Sequence, residues 1–187
     1  MTDWRVLVPI KQGKDGKSRL GSMMAPDARS DLAKRMAEHV LGVLQICFEP
    51  SQITILSPYC PKGWKGGWLQ DQGRGLNAEL TAWRGVQGNA AILIIHADLP
   101  LLTEEDVQAI VDTAKDGAVI ATDRAGRGTN ALAIVDGRPF TFCFGADSLS
   151  LHCRQYPQMP VLRRDGLMAD LDTPDDAKFV SARGFAV

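Results

Sequence analysis

The longest unbroken apolar run in the middle of the chain ends abruptly in polar residues. Residues 90–95 are all apolar, which is typical of a strand buried on both faces at the centre of a parallel sheet. Asp98 follows this run, and Pro100 stops further strand pairing. The pattern places the Asp98 carboxylate at the carboxyl end of a central strand, where open α/β sheets bind ligands. The alternative is that Asp98 only turns the chain.

Strand and helix patterns alternate along the rest of the chain and predict an α/β fold with right-handed crossovers. β-rich runs predict further strands at 4–10, 53–56, 118–121, 131–135 and 140–144, the last of them at a sheet edge. Apolar residues spaced by three and four predict helices at 27–47, at about 76–86, after Thr103, at about 147–156 and after Thr173. Because the chain has 187 residues and no linker, we expect one domain spanning residues 1–187.

Capping patterns separate the acids that have a structural role from those that do not. Thr103 precedes three acids at one helix start, and Thr173 with Pro174 precedes two more at another. Acids in the first turn of a helix are explained by the N-cap and by the helix dipole. Asp170 and Asp172 are left unexplained, so they are candidates for a functional site.

Composition and charge narrow the class of protein. Hydrophobic residues make up 45% of the chain, charged residues 23%, and the formal net charge is -1. These values are ordinary for a globular protein and argue against a nucleic-acid binder. The four cysteines show no C-x-x-C pair and no metal-ligand spacing with a histidine, which predicts reduced thiols. Since the pattern contains neither a signal peptide nor a membrane span, we expect a cytoplasmic protein with no nucleic-acid or membrane partner.

Two glycine-containing loops are candidates for binding phosphates. The first holds four cations within nine positions, namely Lys11, Lys14, Lys17 and Arg19. Its glycines, Gly13 and Gly16, let the backbone approach an anion, although the spacing of a Walker P-loop is absent. A loop that is merely solvated is the alternative. The second loop, at 71–77, leads into a helix whose first N–H groups can meet a phosphate or a base edge.

Carboxylates and cations at one edge of a sheet suit phosphoryl or nucleotidyl transfer. Mg²⁺ that is shared with substrate phosphates takes few protein ligands, so Asp98 with Asp170 or Asp172 is a candidate metal site. The chain has no nucleophile elbow, and its three histidines have no evident Ser or Cys partner. An attacking phosphate is already ionised at neutral pH, and a reaction of this kind needs no general base.

An ordered set of short motifs covers nearly the whole chain. The motifs are VPIK at 8–11, KSRL at 17–20, GLNA at 75–78, ADLPL at 97–101, GTNAL at 128–132, FG at 144–145 with Ser148 and His152, and DLDTP at 170–174. In this order they resemble the CofC/FbiD guanylyltransferases of deazaflavin coenzyme biosynthesis. The resemblance implies a Rossmann-like, GT-A-like nucleotidyltransferase domain with a mostly parallel sheet flanked by helices.

The same resemblance implies an activity and its participants. Members transfer GMP from GTP to 2-phospho-L-lactate, phosphoenolpyruvate or 3-phospho-D-glycerate with Mg²⁺, and they release pyrophosphate. GTP and a small phosphorylated acid are therefore the implied substrates, and the unstable product is expected to be handed to the next enzyme of the pathway. The sequence does not choose among the three acids, because they differ within reach of a few pocket side chains.

Residue roles follow from the resemblance position by position. The implied catalytic residues are Lys17, Arg19 and Asp98. The implied nucleotide-binding residues are Lys11, Lys17, Ser18 and Arg19 at the phosphates, and Gly75, Leu76 and Asn77 at the nucleoside. The implied acceptor-binding residues are Thr129, Gly145 and Ser148. The implied Mg²⁺ ligands are Asp98 and Asp170, with Asp172 as the alternate.

Two departures from related enzymes keep alternatives open. Nucleotide-sugar enzymes often carry Asp-x-Asp where this chain has His96-Ala97-Asp98, so His96 either touches metal or substrate or packs at the strand end. A molybdenum-cofactor guanylyltransferase or another GMP or sugar-phosphate nucleotidyltransferase is the alternative within enzymes, but its glycine-rich opening is missing. A non-catalytic nucleotide-binding module is the alternative outside enzymes, although the retained carboxylates argue against it.

Overall fold

One seven-stranded sheet organises the computed structural model, which describes residues 2–11 and 17–187. The strands are β1 (Trp4–Pro9), β2 (Ile53–Ser57), β3 (Gly67–Gln70), β4 (Ala91–Ile95), β5 (Ala118–Thr122), β6 (Thr129–Ile134) and β7 (Val161–Leu162). Their spatial order is β3-β2-β1-β4-β6-β5-β7. Within the described ranges β6 runs against the other strands, which are mutually parallel. The predicted mostly parallel sheet is confirmed.

The predicted central strand lies at the middle of this sheet. All five residues of β4 are buried, and β4 pairs in parallel with β1 and antiparallel with β6. Since both faces of the strand are covered, the first polar side chains can appear only where the ladder ends after Ile95. The position of Asp98 at the edge of the sheet follows from this change of polarity.

Helices cover both faces of the sheet. They are α1 (Pro26–Cys47), α2 (Leu76–Gly85), α3 (Glu104–Thr113), α4 (Ser148–Cys153), α5 (Asp165–Met168) and α6 (Pro174–Ser181). One face packs against Val40 and Leu44 of α1 and Val107 of α3, and the other packs against Leu80 and Trp83 of α2. The predicted sheet flanked by helices is confirmed.

In a third apolar cluster, residues of the C-terminal part of the chain pack against α1. Leu32 and Met36 of α1 pack with Leu20, Leu171 and Val180, all of them fully buried. Leu20 closes a short helical turn that begins just after Lys17, and Leu171 lies between Asp170 and Asp172. Apolar packing therefore sets the positions of the polar residues on either side of Leu20 and Leu171.

Both predicted helix N-caps are confirmed. The Thr103 side chain accepts a hydrogen bond from the Asp106 N–H, and the Thr173 side chain accepts one from the Asp176 N–H. In each case the side chain of the acid accepts a hydrogen bond from the backbone N–H of the N-cap threonine, which completes a capping box. The acids of these first turns thus have the structural role expected of them.

Four details of the predicted elements are wrong. Residues 140–144 form no strand, because side chains rather than a neighbouring strand bind their backbone groups. The short strands β3 and β7 were not predicted, since four and two residues are too few to show a period. α4 ends at Cys153 instead of about 156, and Val86, expected on the apolar face of α2, is 80% exposed beyond the helix end.

Within the described part of the chain, no helix has both the length and the apolar character needed to cross a membrane.

Candidate active site

Backbone hydrogen bonds tie the carboxyl end of β4 to two distant parts of the chain. The His96 N–H donates to the Asn130 carbonyl at 2.9 Å, which places the start of β6 beside it. The Leu171 N–H donates to the Asp98 carbonyl at 3.1 Å. The three acids proposed as metal ligands from the sequence, Asp98, Asp170 and Asp172, are thereby brought to one edge of the sheet.

Lys17 lies between two of these acids. Its Nζ donates to Asp98 Oδ2 at 2.5 Å and to Asp172 Oδ1 at 2.6 Å, and its side chain is 11% exposed. The backbone of Lys17 has φ 55°, in the left-handed region that only Lys17 and Asp147 occupy among the non-glycine residues described. Strain of this kind costs about 1–3 kcal/mol and is often found at functional sites.

Electrostatics keep the Lys17 and Asp98 pair charged at neutral pH. Burial alone would lower the pKa of Lys17, but attraction to Asp98 and Asp172 outweighs burial and raises the pKa above its ordinary value. Burial alone would raise the pKa of Asp98, but attraction to Lys17 and His96 and the hydrogen bonds to the carboxylate together outweigh burial and lower this pKa. Both groups are therefore ionised, and the Lys17 ammonium offsets part of the negative charge of Asp98 and Asp172 at the end of the central strand.

Among the residues described, Asp170 has no cationic partner as close as Lys17 is to Asp98 and Asp172. Its Oδ1 accepts a hydrogen bond at 3.1 Å from Asn130 Nδ2, which also donates to the Leu167 carbonyl at 3.0 Å. Burial raises the pKa of Asp170 to about 6 against the effect of this hydrogen bond, and repulsion from Asp98 and Asp172 adds to the rise. The cluster is short of positive charge on the side where Asp170 lies.

The donor set of this cluster fits a hard divalent cation. Asp98 Oδ1 is buried and has no hydrogen-bond partner in the described part of the chain. Among residues 2–11 and 17–187, no three Asp, Glu, His or Cys side chains are placed so that they could hold a metal ion between them. A cation here would accordingly take part of its coordination from substrate oxygens, which is how Mg²⁺ is commonly bound with phosphates.

His96 packs beside the same cluster. Its ring centroid lies 5.5 Å from that of Phe144, and its Nε2 is buried without a hydrogen-bond partner among the residues described. Burial lowers the pKa of His96 despite the nearby Asp98, so the ring is neutral at pH 7. His96 thus packs at the end of the strand, and its Nε2 is buried without a hydrogen-bond partner among the residues described.

The three residues implied in acceptor binding lie near the start of β6. Thr129 is 2% exposed, and its Oγ1 lies 3.0 Å from Nδ1 of His152. Ser148 is 1% exposed at the first position of α4, and its N–H donates to the Gly145 carbonyl at 3.3 Å. The Leu149 N–H donates to the carbonyl of residue 127 at 2.9 Å, which holds the start of α4 next to the start of β6.

The residues implied in nucleoside binding have mainly backbone groups left to offer a ligand. Gly75 precedes α2 with φ 91° and is exposed. The Asn77 amide is already used, because it donates to the Phe144 carbonyl at 3.0 Å and accepts from the Phe144 N–H at 2.8 Å. Glu79 is 1% exposed and binds the Gln72 N–H at 3.0 Å and the Arg74 guanidinium at 2.7 Å, which fixes the loop before the helix.

The remaining phosphate-binding candidates line the same edge. Lys11 follows β1, and Ser18 and Arg19 form the turn after Lys17; all three are exposed. Gly13, Lys14 and Gly16, which the sequence also proposed for the phosphate loop, lie outside the described residues.

A family model described as guanylyl transferase, CofC-like, matches residues 4–174. The chain belongs to this CofC-like family. The matched span includes every candidate site residue from Lys11 to Asp172, and it confirms the resemblance proposed from the motifs. The prediction that the chain is a nucleotidyltransferase of the guanylyltransferase type is confirmed with it.

Named relatives agree with this family. Phosphoenolpyruvate guanylyltransferase of Chloroflexus aggregans is 35% identical over 85% of this chain and 85% of its own. Phosphoenolpyruvate guanylyltransferase of Rubrobacter xylanophilus is 33% identical over 95% and 93% of the two chains. 2-Phospho-L-lactate guanylyltransferase of Methanopyrus kandleri is 29% identical over 92% and 88%.

Solved structures support the fold. A crystal structure assigned as a nucleotide-diphospho-sugar transferase from Desulfovibrio desulfuricans superposes with a TM-score of 0.72 at 16% identity, covering 100% of this chain and 90% of that one. A 4-diphosphocytidyl-2C-methyl-D-erythritol synthase superposes with a TM-score of 0.62 at 12% identity, covering 97% and 99%. At such identities the likeness bears on the fold alone, and it confirms the predicted nucleotidyltransferase architecture.

Three residues outside the predicted set hold the CofC-like site together. Asn130 supports Asp170, and His152 contacts Thr129. Asp176 accepts from the N–H of Thr173 at 2.9 Å and from Arg124 at 2.7 Å. The sequence carried a signal for Asn130 and His152, since each is a polar residue amid apolar neighbours, but no pattern named their partners.

Proposed function

We propose that this CofC-like protein transfers GMP from GTP to the phosphate of a three-carbon phosphorylated acid in the presence of Mg²⁺. The observation that carries the proposal is the Lys17 ammonium held between Asp98 and Asp172, with Asp170 beside them, at the carboxyl end of the central strand. Phosphoenolpyruvate is the first acceptor to test, because two of the most similar relatives are named for it. 2-Phospho-L-lactate and 3-phospho-D-glycerate are the other two.

The proposed step is a single displacement at phosphorus. An oxygen of the acceptor phosphate bonds to the α-phosphorus of GTP, and the bond from that phosphorus to the oxygen bridging to the β-phosphate breaks. Pyrophosphate leaves with the electron pair of that bond. The attacking phosphate is ionised at neutral pH, so the work of the protein is to position the two anions and to neutralise their charge.

The residues of the cluster suit these tasks. Lys17 carries a lasting positive charge, and exposed Lys11 and Arg19 add cations along the same edge. Asp98 and Asp170, with Asp172 as the alternate, would hold Mg²⁺ together with phosphate oxygens of the substrate. When bound, Mg²⁺ neutralises phosphate charge and polarises the phosphorus–oxygen bonds.

The two substrates would lie beside this cluster, at two segments that the contact between Asn77 and Phe144 joins. The backbone from Gly75 to Asn77 would meet the guanine nucleoside, with the Asn77 side chain supporting Phe144 rather than reading the base. Thr129, Gly145 and Ser148 would meet the acceptor. Guanine presents an O6 acceptor and N1 and N2 donors, which backbone groups of a fixed loop can distinguish from adenine.

The test follows pyrophosphate release in reactions that contain GTP, Mg²⁺ and each of the three acids in turn. We expect release with at least one acid, little with ATP in place of GTP, and none after chelation of the metal. Asp98→Asn should abolish release. Asp175→Asn is the matched control, because Asp175 is an exposed acid that pairs with Lys178 on α6. Release at the wild-type rate from Asp98→Asn, or equal turnover of ATP, would contradict the proposal.

A further inference from the structure

His152 is a fully buried histidine outside the carboxylate cluster. It is 0% exposed in α4, and its ring centroid lies 5.0 Å from that of Phe144 and 5.3 Å from that of Phe140. Burial among these rings lowers the pKa of His152 to about 4, because a cation there would lose its hydration. The imidazole is therefore neutral at physiological pH. It carries one N–H hydrogen, which lies either on Nδ1 or on Nε2.

The hydrogen bonds of His152 decide which nitrogen carries that hydrogen. The Cys143 backbone N–H can only donate, and it points at Nε2 at 2.9 Å, so Nε2 must be the acceptor. The hydrogen is then on Nδ1, which donates to Oγ1 of Thr129 at 3.0 Å. Neither ring nitrogen is left without a partner.

This arrangement fixes the polarity of the Thr129 hydroxyl. Because Oγ1 accepts from His152, the hydroxyl hydrogen of Thr129 cannot lie on the same bond and must point to another group. If the tautomer were reversed, Thr129 would donate to His152 and present only lone pairs elsewhere. Anionic oxygens accept hydrogen bonds and do not donate them, so only the tautomer with its hydrogen on Nδ1 lets this hydroxyl bind an anion.

The same ring also supports the backbone that carries Gly145. Cys143 is two residues before Gly145, and its N–H has His152 as a partner in place of a neighbouring strand. Gly145 has φ 130°, a conformation that other residues rarely adopt, so its backbone direction depends on the residues around it. One side chain thus acts on two of the three residues that the proposed function assigns to the acceptor.

We propose that His152 is a positioning residue for the acceptor acid: its Nδ1–H makes the Thr129 hydroxyl a donor toward an anionic oxygen of the acid, and its Nε2 holds the segment that ends in Gly145. This inference rests on the proposed function. It assigns a role to a residue that does not touch the reacting atoms.

Kinetic measurements test the proposal on two His152 variants. His152→Leu removes both hydrogen bonds, whereas His152→Asn places an amide N–H near the position of Nδ1 and keeps the donor to Thr129. We expect the KM for the acceptor to rise about tenfold in His152→Leu, with the KM for GTP unchanged and partial recovery in His152→Asn. A rise of both KM values by the same factor would overturn the proposal.

A double-mutant cycle with Thr129→Val tests whether the effect passes through the threonine. Once the hydroxyl is gone, His152→Leu should raise the acceptor KM by a clearly smaller factor than in the wild type, because only the bond to the Cys143 N–H is then left to lose. Fully additive effects in the cycle would overturn the proposal. Gln155→Leu is the matched control, since Gln155 hydrogen-bonds the backbone of Thr141 at 2.8 Å on the same segment, and its partners are Thr141 and Leu151 rather than Thr129. An equal rise in this control would assign the effect to general loosening.

A measurement that needs no activity separates this inference from the proposed function. Nitrogen-15 NMR of labelled histidine in the wild-type protein at pH 7 should show His152 protonated at Nδ1 and bare at Nε2. The opposite tautomer or a charged ring would overturn the inference even if the enzyme is active. Conversely, an Nδ1–H ring in a protein that transfers GMP to none of the acids would overturn the proposed function and the acceptor role together, while leaving the structural assignment of the tautomer intact.

Discussion

Replacing Lys17 separates the charge of its side chain from the strain of its backbone. Lys17→Met keeps the length of the side chain and removes the ammonium, which leaves Asp98 and Asp172 without their shared partner. Breaking a fully buried ion pair costs about 3–5 kcal/mol. The side chains of Asp98 and Asp172 are 25% and 41% exposed, so water screens them and we expect a loss of only ~1–2 kcal/mol in the free energy of unfolding.

Lys17→Gly removes the same charge but relieves the backbone. A non-glycine residue at φ 55° carries strain that glycine does not, and this difference is worth about 1 kcal/mol. The glycine variant should therefore be more stable than the methionine variant by roughly that amount, or about 2–4 °C in Tm for a chain of this size. Because both variants lack the ammonium that we propose binds the GTP phosphates, both should lose GMP transfer by about 10²–10³-fold.

The assay pairs urea unfolding of the wild type and both variants with initial rates of pyrophosphate release. The pKa of Lys17 is raised, so its ion pairs contribute fully below the unfolded value of 10.5, and measurements at pH 7 see the whole effect. A glycine variant less stable than the methionine variant would refute the argument from backbone strain. A variant that retains more than about a tenth of the wild-type rate, a barrier change of only ~1.4 kcal/mol, would remove Lys17 from the catalytic residues.

Three further predictions concern the acids, the acceptor and pH. Asp98→Asn should fold and yet lose transfer, which circular dichroism and pyrophosphate release would show together. Ser148→Ala should weaken acceptor use by roughly 1–3 kcal/mol with GTP affinity unchanged, as separate titrations would show; Asp147 and not Ser148 precedes α4, so loss of a helix cap is not the expected effect. The pKa of His152, about 4 against an ordinary 6.5, means that the unfolded chain binds its proton first as pH falls. Between pH 6.5 and 4 the wild type should therefore lose about 3 kcal/mol of stability relative to His152→Asn, and parallel urea curves would contradict this.

Features that depend on residues close together in the chain could be predicted from the sequence. The burial of β4 follows from six consecutive apolar residues, and the position of Asp98 follows from the change of polarity after them. The capping boxes at Thr103 and Thr173 depend on residues only three positions apart. The ordered motifs added the family, because their sequence along the chain is more specific than any one of them.

The contacts that complete the site depend on residues far apart in the chain. Asp170 and Asp172 reach the end of β4 because the Leu171 N–H donates to the Asp98 carbonyl. Leu171 is also buried against α1, and no local period indicates either contact. The use of Asn77 as a support for Phe144 was unpredictable for the same reason, since an amide in a glycine-rich loop suits a base edge equally well.

The segment from Thr141 to Gly145 shows why a strand pattern can be present without a strand. Its apolar residues Phe142 and Phe144 are buried against the sheet, as alternation predicts. Its backbone groups are bound instead by three side chains, from Gln155 at Thr141, His152 at Cys143 and Asn77 at Phe144. Two of these side chains belong to α4 or the residues just after it, and one belongs to α2, which begins at the proposed nucleoside loop. A segment held in this way can connect the two substrate sides through fixed side-chain contacts, which a strand paired along its length would have no groups left to make.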